Sequence, residues 1–351
     1  MRIARLQQQM KETKVNQCLL SETSALQYFI DKNFSCGERL VVLLVEQTGL
    51  PRLFLNDLFP CEQSHEFELV RFHDTDAPIQ LLSRFITGPV LAVDSNWSAG
   101  FLLELMNCHS TVHMINASVL SDHIRAIKTV EEQEKMRKAS EFNDAVMQQV
   151  RTMIRIGMSE CQLRDQINAT FLKIANSLPS FETIVAFGEN GADPHCVPSD
   201  KILEAGMSVI VDMGCRFEGY CSDMTRTFFV GENTLSEIYD TVLKANLAAI
   251  AKVKPGVLFS EIDRAAREVI EKAGYGQYFI HRTGHGIGLN VHEPYDVSAV
   301  NDLRVVAGMC FSIEPGIYIP NQGGVRIEDL VLVTEDGCEV LNKQSKTEPI
   351  L

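Results

Sequence analysis

The sequence predicts two domains, an α/β domain over residues 1–125 and an α+β domain with an antiparallel sheet over residues 126–351. In the first part, short apolar runs alternate with helical segments, which is the pattern of an α/β domain. In the second part, amphipathic helices are separated by strand–turn–strand units, which favours helices grouped around an antiparallel sheet. The boundary lies just before a capping box, Thr129 with Glu132, that opens a long helix.

The N-terminal part contains predicted helices and strands but no signature of chemistry. Helices are predicted for RLQQQMKE, close to the start, and for FLLELMNC (101–108). Strands of a parallel or mixed sheet are predicted for RLVVLLVE (39–46), LPRLFLN (50–56) and PVLAVD (89–94). This part has no Gly-rich phosphate loop, and we interpret its histidines as surface or core residues.

The C-terminal part combines helices with two similar strand units. Helices are predicted over residues 128–150, 159–176, 235–253 and 259–274, the last with Gly274 as its C-cap. The first strand unit pairs SVIVDMG (208–214) with SDMTRTFFV, and the second pairs MCFSIEPGIYI (309–319) with VRIEDLVLV (325–333). The likeness of VIVDMG and FSIEPG predicts internal pseudo-symmetry.

Composition excludes several classes of protein. The formal net charge of −14 argues against nucleic-acid binding and against an anionic membrane surface. The ten cysteines have no C-x-x-C spacing, which argues against a disulfide framework or a zinc ribbon. No apolar h-region follows the first residues, and the longest apolar run, LVVLLV (40–45), is too short to span a bilayer. We therefore expect a cytoplasmic protein with reduced thiols and no membrane segment.

Each strand unit carries two acidic residues within or beside apolar strands. They are Asp212, Asp223, Glu314 and Glu328. An ionised carboxylate in an apolar strand costs several kcal/mol unless it is paired or coordinated. One alternative is therefore a structural salt-bridge network with the nearby arginines, which are Arg216, Arg226 and Arg326.

The stretch HRTGHGIGLNVHEP (281–294) offers the nitrogen that a metal site would need. Four carboxylates and one imidazole, from His285, form a ligand set for two divalent ions such as Mn(II), Co(II), Fe(II) or Zn(II). We expect the glycines on both sides of His285 to let the backbone come close to the metals.

The motifs VDMG, SDMTRTF, HRTGHGIGLNVHEP, SIEPGIY and GVRIED together resemble the pita-bread metallopeptidases. Within these they are most similar to the proline-specific branch, the Xaa-Pro dipeptidases (prolidases) and Xaa-Pro aminopeptidases. The motifs run from about Phe181 to Val333. The sequence departs from the common pattern at Phe187, where a small residue is frequent, and at Tyr295, where a second proline is frequent.

The resemblance implies a fold, an activity and partners. A creatinase-like domain over residues 1–125 would precede a pita-bread catalytic domain over residues 126–351. The enzyme would be a metal-dependent exopeptidase that hydrolyses the bond between an N-terminal residue and a following proline through a metal-bridged hydroxide. It would hold two divalent ions per chain, Mn(II) or Co(II) ahead of Zn(II) or Fe(II), and form a homodimer.

The resemblance also implies a role for individual residues. Asp212 ligates one metal, Asp223 and Glu328 bridge both, and His285 and Glu314 ligate the other. As a hypothesis of mechanism, Glu314 would also take up and return the proton, as a positioned carboxylate can. His195 faces the substrate, His292 hydrogen-bonds the scissile carbonyl or the tetrahedral intermediate, and Arg326 is a site arginine beside the last ligand. The resemblance leaves His281 without a role, and we expect it to pack or to support a ligand.

Three alternatives remain at this point. A non-catalytic pita-bread adaptor or a creatinase-type hydrolase has no need of the full ligand set. A methionine aminopeptidase shares the ligands but usually lacks an N-terminal domain of this size. The sequence does not distinguish dipeptides from longer peptides, and it does not select the native metal.

Overall fold

The structure, a computed structural model, describes residues 2–351. Its contacts divide the chain into two compact units, one ending at Arg125 and one spanning Ala126–Leu351. Among the helices of residues 2–351, none combines the length and the apolar character needed to cross a bilayer.

The N-terminal unit is built on one mixed sheet of six strands, in the order β4-β3-β2-β1-β5-β6. The strands are β1 (Gln17–Leu20), β2 (Val41–Glu46), β3 (Arg52–Asn56), β4 (Glu68–Phe72), β5 (Val90–Val93) and β6 (His113–Asn116). The central strand β1 is buried along its whole length and pairs antiparallel with β2 and parallel with β5. The predicted mixed sheet and its three predicted strands are therefore confirmed.

In the described part of the chain, five helices accompany this sheet, one before its first strand, three between its strands and one after its last strand. They are α1 (Arg2–Glu12), α2 (Thr23–Ile30), α3 (Pro78–Ser83), α4 (Ala99–Cys108) and α5 (Ser118–Ala126). The core contains apolar side chains from β2, β3 and β5, including Val42, Phe54 and Leu91. The two helices predicted in this part correspond to α1 and α4.

The C-terminal unit has four long helices, near the predicted positions. They are α6 (Val130–Met153), α7 (Glu160–Ala175), α8 (Ser236–Lys252) and α9 (Phe259–Lys272). The predicted capping box is formed, because Thr129 N donates to Glu132 Oε2 at 2.8 Å and Glu132 N donates to Thr129 Oγ1 at 3.3 Å. The last helix ends slightly earlier than predicted, and Gly274 follows it with a φ of +87°.

The strands of this unit form antiparallel pairs throughout. They are β7 (Ile184–Phe187), β8 (Ser208–Met213), β9 (Arg216–Phe217), β10 (Tyr220–Cys221), β11 (Met224–Phe229), β12 (Gly284–Gly286), β13 (Glu293–Val297), β14 (Cys310–Ile313), β15 (Gly316–Ile319), β16 (Gly323–Arg326), β17 (Asp329–Val333) and β18 (Cys338–Val340). The larger sheets have the orders β11-β8-β7 and β13-β12-β14-β17-β18. Two helices followed by antiparallel strands thus occur twice, as the predicted pseudo-symmetry requires.

The second strand unit differs from the prediction in one important respect. The stretches 309–319 and 325–333 are not continuous strands, because each is broken in the middle. Before the break in the first stretch, β14 pairs with β17 in the large sheet, and after it β15 pairs with β16 in a separate ribbon. Pro315, which has no backbone N–H to donate, lies at the first break. Glu314 and Glu328 therefore lie where the chain leaves one sheet for another.

Candidate active site

The C-terminal unit encloses a cavity of about 600 Å³. It is lined by all eight residues that the sequence singles out as ligands or catalytic groups. These are His195, Asp212, Asp223, His285, His292, Glu314, Arg326 and Glu328. They are spread over more than 130 residues of sequence, so their common location is a result of the fold. Their individual roles stay predictions.

Strands and strand ends position the acidic side chains. Asp212 lies in β8, directly opposite Thr225 of β11, and Asp223 lies one residue before β11. Glu314 follows β14 and Glu328 precedes β17, at the two breaks described above. Because side chains near a strand end need not alternate strictly between faces, both breaks can turn a carboxylate into the cavity.

His285 lies in the middle of the short strand β12, between two glycines with close neighbours. A Cβ on Gly284 would lie 1.8 Å from the carbonyl oxygen of Ser312, and one on Gly286 would lie 2.1 Å from that of Pro294. The space beside these glycines is thus filled by adjacent backbone. These glycines let the neighbouring backbone approach β12, and the expectation that they also bring the backbone close to metals stays a prediction.

The imidazole of His285 faces the carboxylates with its Nε2 atom. That atom lies 3.5 Å from Glu314 Oε1 and 3.8 Å from Asp223 Oδ2. Its Nδ1 atom lies 3.1 Å from the carbonyl oxygen of Gly286, so Nδ1 carries the proton and Nε2 presents a lone pair. Burial lowers the pKa of His285 to about 4, which keeps the ring neutral, the form that ligates metals.

Asp223, Glu328 and His285 form the tightest group. One ligand atom from each lies within 4.8 Å of the others, and all three side chains are buried. Burial, followed by repulsion from neighbouring carboxylates that include Asp212 and Glu314, raises the pKa of Asp223 and of Glu328 well above the ordinary range. The protein thus places several carboxyl groups side by side in a buried setting, where ionising all of them is costly without a cation.

Two carboxylate oxygens in the cavity are buried without a hydrogen-bond partner among residues 2–351. They are Oδ1 of Asp212 and Oδ1 of Asp223. A buried, unpaired carboxylate oxygen is costly, and a cation is the partner that removes the cost. The donor set of four carboxylates and one imidazole therefore fits divalent metal ions of the Mn, Co, Fe and Zn type.

Among residues 2–351, an arginine side chain forms a salt bridge with only one of the four carboxylates, so the alternative of a salt-bridge network applies to that one alone. Arg326 Nη2 donates to Asp212 Oδ2 at 2.7 Å. Arg226 instead pairs with Asp329 at 2.8 Å, and the Arg216 guanidinium donates to backbone carbonyls such as that of Leu289. Arginines therefore leave most of the carboxylate charge in the cavity uncompensated.

The two predicted substrate-facing histidines reach the cavity from loops. The ring of His292 lies edge-on to that of His285, with centroids 4.3 Å apart. The carboxylate of Glu293 stabilises the turn that contains His292, because its Oε1 accepts a hydrogen bond from the backbone N–H of Leu289 at 3.1 Å. The Glu293 carboxylate is paired with Lys128 Nζ at 3.0 Å, and both side chains are almost fully buried.

His281, to which the family resemblance assigns no role, belongs to a hydrogen-bonded chain that ends at Asp212. Its Nδ1 lies 2.7 Å from the carbonyl oxygen of Arg282, and its Nε2 lies 2.8 Å from the hydroxyl of Tyr318. The same hydroxyl accepts from Arg326 Nη1 at 3.0 Å, and Arg326 in turn donates to Asp212. Tyr318 therefore donates to His281 while accepting from Arg326, which is the support role expected of His281.

Sequence reasoning missed three supporting residues, of which Tyr318 is one. Thr225 Oγ1 donates to Glu328 Oε2 at 2.8 Å, and Ser312 Oγ donates to Glu314 Oε1 at 3.2 Å. Thr225 follows Asp223 by two positions, and Ser312 precedes Glu314 by two. The two-residue period of a strand is a signal that could have identified both.

Comparisons with known proteins give a consistent relationship. The family model for "Metallopeptidase family M24" matches residues 134–335, and the family model for "Creatinase/Prolidase N-terminal domain" matches residues 2–127. An uncharacterized peptidase of Staphylococcus aureus (strain USA300) is 37% identical over 324 residues, which cover 91% of this chain and 92% of that protein.

Solved structures extend this relationship to the fold. A dipeptidase from Pyrococcus horikoshii OT3 has a TM-score of 0.94 and 35% identity, with 100% of both chains covered. An Xaa-Pro dipeptidase from Bacillus anthracis has a TM-score of 0.90 and 32% identity, covering 100% of this chain and 99% of the other. The two-domain pita-bread fold inferred from the motifs is thereby confirmed. The chain belongs to metallopeptidase family M24 and carries the N-terminal domain of creatinases and prolidases.

Proposed function

We propose that this protein is an exopeptidase that hydrolyses the peptide bond between an N-terminal residue and a following proline. The observation that carries the proposal is the convergence of four carboxylates and a neutral imidazole on one cavity, where two carboxylate oxygens are buried and have no hydrogen-bond partner in the described part of the chain. A protein that only bound other proteins would have no use for such a charged cavity, because buried like charges destabilise the fold.

Two divalent ions would be held by five residues of this cavity. Asp212 would hold one ion, His285 and Glu314 the other, and Asp223 and Glu328 would bridge both. When bound, such a pair would lower the pKa of a bound water, so that hydroxide would be available at neutral pH to attack an amide carbonyl. Mn(II) and Co(II) are our first choices, ahead of Zn(II) and Fe(II).

The other residues of the cavity would orient the peptide and move its protons. His292 and His195 line the wall and would donate hydrogen bonds to the scissile carbonyl as negative charge develops on it. Glu314, held at one oxygen by Ser312, would take up a proton and return it to the leaving nitrogen. Arg326 would fix the orientation of Asp212 through its 2.7 Å contact.

We propose dipeptides as the preferred substrates over longer peptides. The support is the likeness to the dipeptidase from Pyrococcus horikoshii and to the Xaa-Pro dipeptidase from Bacillus anthracis over the whole chain. We further propose a cytoplasmic homodimer on the strength of the family resemblance. Light scattering after gel filtration would give twice the chain mass of 39.2 kDa for a dimer, and the single chain mass would contradict it.

A substrate panel tests the proposed activity. Purified protein loaded with Mn(II) or Co(II) is offered Xaa-Pro dipeptides, Xaa-Pro-Xaa tripeptides and Met-Xaa peptides without proline. We expect hydrolysis of the proline dipeptides, slower hydrolysis of the tripeptides and none of the others. Preferential cleavage of Met-Xaa would make the protein a methionine aminopeptidase, and no cleavage at all would favour an adaptor.

A pair of variants separates the site from general effects of mutation. Asp223→Asn removes a bridging carboxylate, and Asp240→Asn changes an exposed aspartate on α8 that does not line the cavity. We expect the first to lose hydrolysis and the second to keep it. Full activity of Asp223→Asn with added metal would overturn the proposed mechanism.

A further inference from the structure

Glu160 is a buried carboxylate outside the cavity, and its hydrogen-bond donors among residues 2–351 are all neutral. It is the first residue of α7, and its side chain is 0% exposed. Its Oε1 atom accepts hydrogen bonds from the backbone N–H of Phe187 at 2.7 Å and from Asn190 Nδ2 at 3.0 Å. Its Oε2 atom accepts from Ser199, at 2.9 Å from the backbone N–H and 2.6 Å from the hydroxyl.

These donors come from the two ends of one loop. Phe187 ends β7 and Ser199 lies twelve residues later, so the carboxylate closes the loop 187–199 at its base. Backbone contacts reinforce the closure, because Cys161 N donates to Ser199 O at 3.0 Å and Glu160 N donates to Lys201 O at 3.2 Å. The start of α7 therefore holds both ends of the loop.

The closed loop carries one wall of the cavity. Between its ends lie Pro194, His195, Cys196, Val197 and Pro198, all of which line the cavity. His195 itself is exposed, and the hydrogen bond at its backbone N–H is a local one to Asp193 Oδ1 at 2.9 Å. Its position thus depends on how the loop is anchored.

We propose that Glu160 is a positioning residue for His195, acting through the loop 187–199. This inference rests on the proposed function, in which His195 contacts the peptide. A carboxylate suits the position because four donor groups converge on two acceptor oxygens. A glutamine would offer one acceptor oxygen, and its amide N–H groups would face the donors at one end of the loop.

The main test compares Glu160→Gln with a matched control, Glu237→Gln. Glu237 also lies in the first turn of a helix, α8, but it is exposed and outside the cavity. Hydrogen exchange is followed for the peptide spanning 187–199, and the imidazole signals of His195 are followed by NMR. We expect faster exchange by about tenfold or more and altered His195 signals in Glu160→Gln only.

Kinetics on an Xaa-Pro dipeptide test the link to His195. We expect Glu160→Gln to lower kcat/KM by about 10–100-fold, because small misplacements of a catalytic group have effects of this size. In the background of His195→Ala, the same change should cost less than about threefold, since its target is already gone. Full additivity of the two changes, or unchanged exchange in the loop, would overturn the proposal.

A milder variant keeps the question decidable if Glu160→Gln does not fold. Ser199→Ala removes one side-chain donor and leaves the backbone donor in place. We expect a smaller change in the same direction, about two- to fivefold in kcat/KM. If the wild-type protein cleaves no Xaa-Pro peptide, the proposed function fails, while exchange and the His195 signals still decide whether Glu160 positions the loop.

Discussion

Replacing Asp223 with asparagine should stabilise the metal-free protein while abolishing its activity. One carboxylate oxygen of Asp223 and one of Glu328 lie within 4.8 Å of each other, and both side chains are buried. Two unit charges at that separation repel by roughly 3 kcal/mol at an effective dielectric constant of about 20. The wild-type carboxyl relieves part of this repulsion by binding a proton. We therefore expect a net gain of about 1–2 kcal/mol in the free energy of unfolding.

The sign of the pH dependence follows from the direction of the pKa shift. The pKa of Asp223 in the folded protein is raised, mainly by burial and then by Glu328, above the unfolded value of about 3.9. Ionisation of Asp223 therefore destabilises the fold. This penalty is absent below the unfolded pKa and grows until the pH passes the folded pKa. The advantage of Asp223→Asn should accordingly vanish near about pH 3 and be largest at neutral pH and above.

Urea denaturation in EDTA, with and without later addition of Mn(II), measures this effect. In EDTA the variant should be the more stable protein, and with Mn(II) the order should reverse, because only the wild type gains binding energy from the full ligand set. Asp240→Asn should follow the wild type in both conditions. A variant that is less stable than the wild type in EDTA would refute the claim that the cavity stores repulsion between carboxylates.

Three further predictions concern support of the site and of the fold. Tyr318→Phe removes the hydroxyl that accepts a hydrogen bond from Arg326. The kcat for an Xaa-Pro dipeptide should therefore fall about 10–100-fold, while the free energy of unfolding changes by about 1 kcal/mol. An unchanged kcat would show that the hydrogen-bonded chain is dispensable. Lys346→Met removes the lysine that pairs with the fully buried carboxylate of Asp329, so the free energy of unfolding, measured in urea, should fall by about 1–3 kcal/mol. The control Lys244→Met changes an exposed lysine on α8 and should have little effect. Equal effects of the two substitutions would contradict this prediction. Removal of metal by EDTA should lower the melting temperature of the wild type. Relative to protein with metal at about 100–1,000 times its Kd, the free energy of unfolding should fall by roughly 3–4 kcal/mol per metal site. A melting temperature insensitive to EDTA and to added metal would argue against metal ligation.

Local signals explain which parts of the fold were predictable. The capping box at Thr129 and the three predicted strands β2, β3 and β5 are set by neighbouring residues, so the sequence pattern locates them directly. The break of the second strand unit at Glu314 was not predicted. Its neighbour Pro315 is a local signal for such a break, but the sheet that each half joins is decided by long-range pairing.

The same distinction applies to the candidate site. All eight residues that the motifs and the family resemblance singled out line the same cavity, because the resemblance supplied contacts between distant parts of the chain. Tyr318, which links His281 to Arg326, and Glu160, which closes a loop through Ser199, could not be identified in this way. Their importance depends on hydrogen bonds between residues far apart in sequence, for which a single sequence contains no periodic signal.

The most direct test of the central claim is an anomalous difference map from a crystal of the Mn(II)-loaded protein. We predict two peaks per chain, one beside Asp212, the other beside His285 and Glu314, with Asp223 and Glu328 contacting both. A single peak would reduce the proposal to a mononuclear site. The absence of any peak in this cavity, in crystals that contain bound Mn(II) elsewhere, would contradict the account.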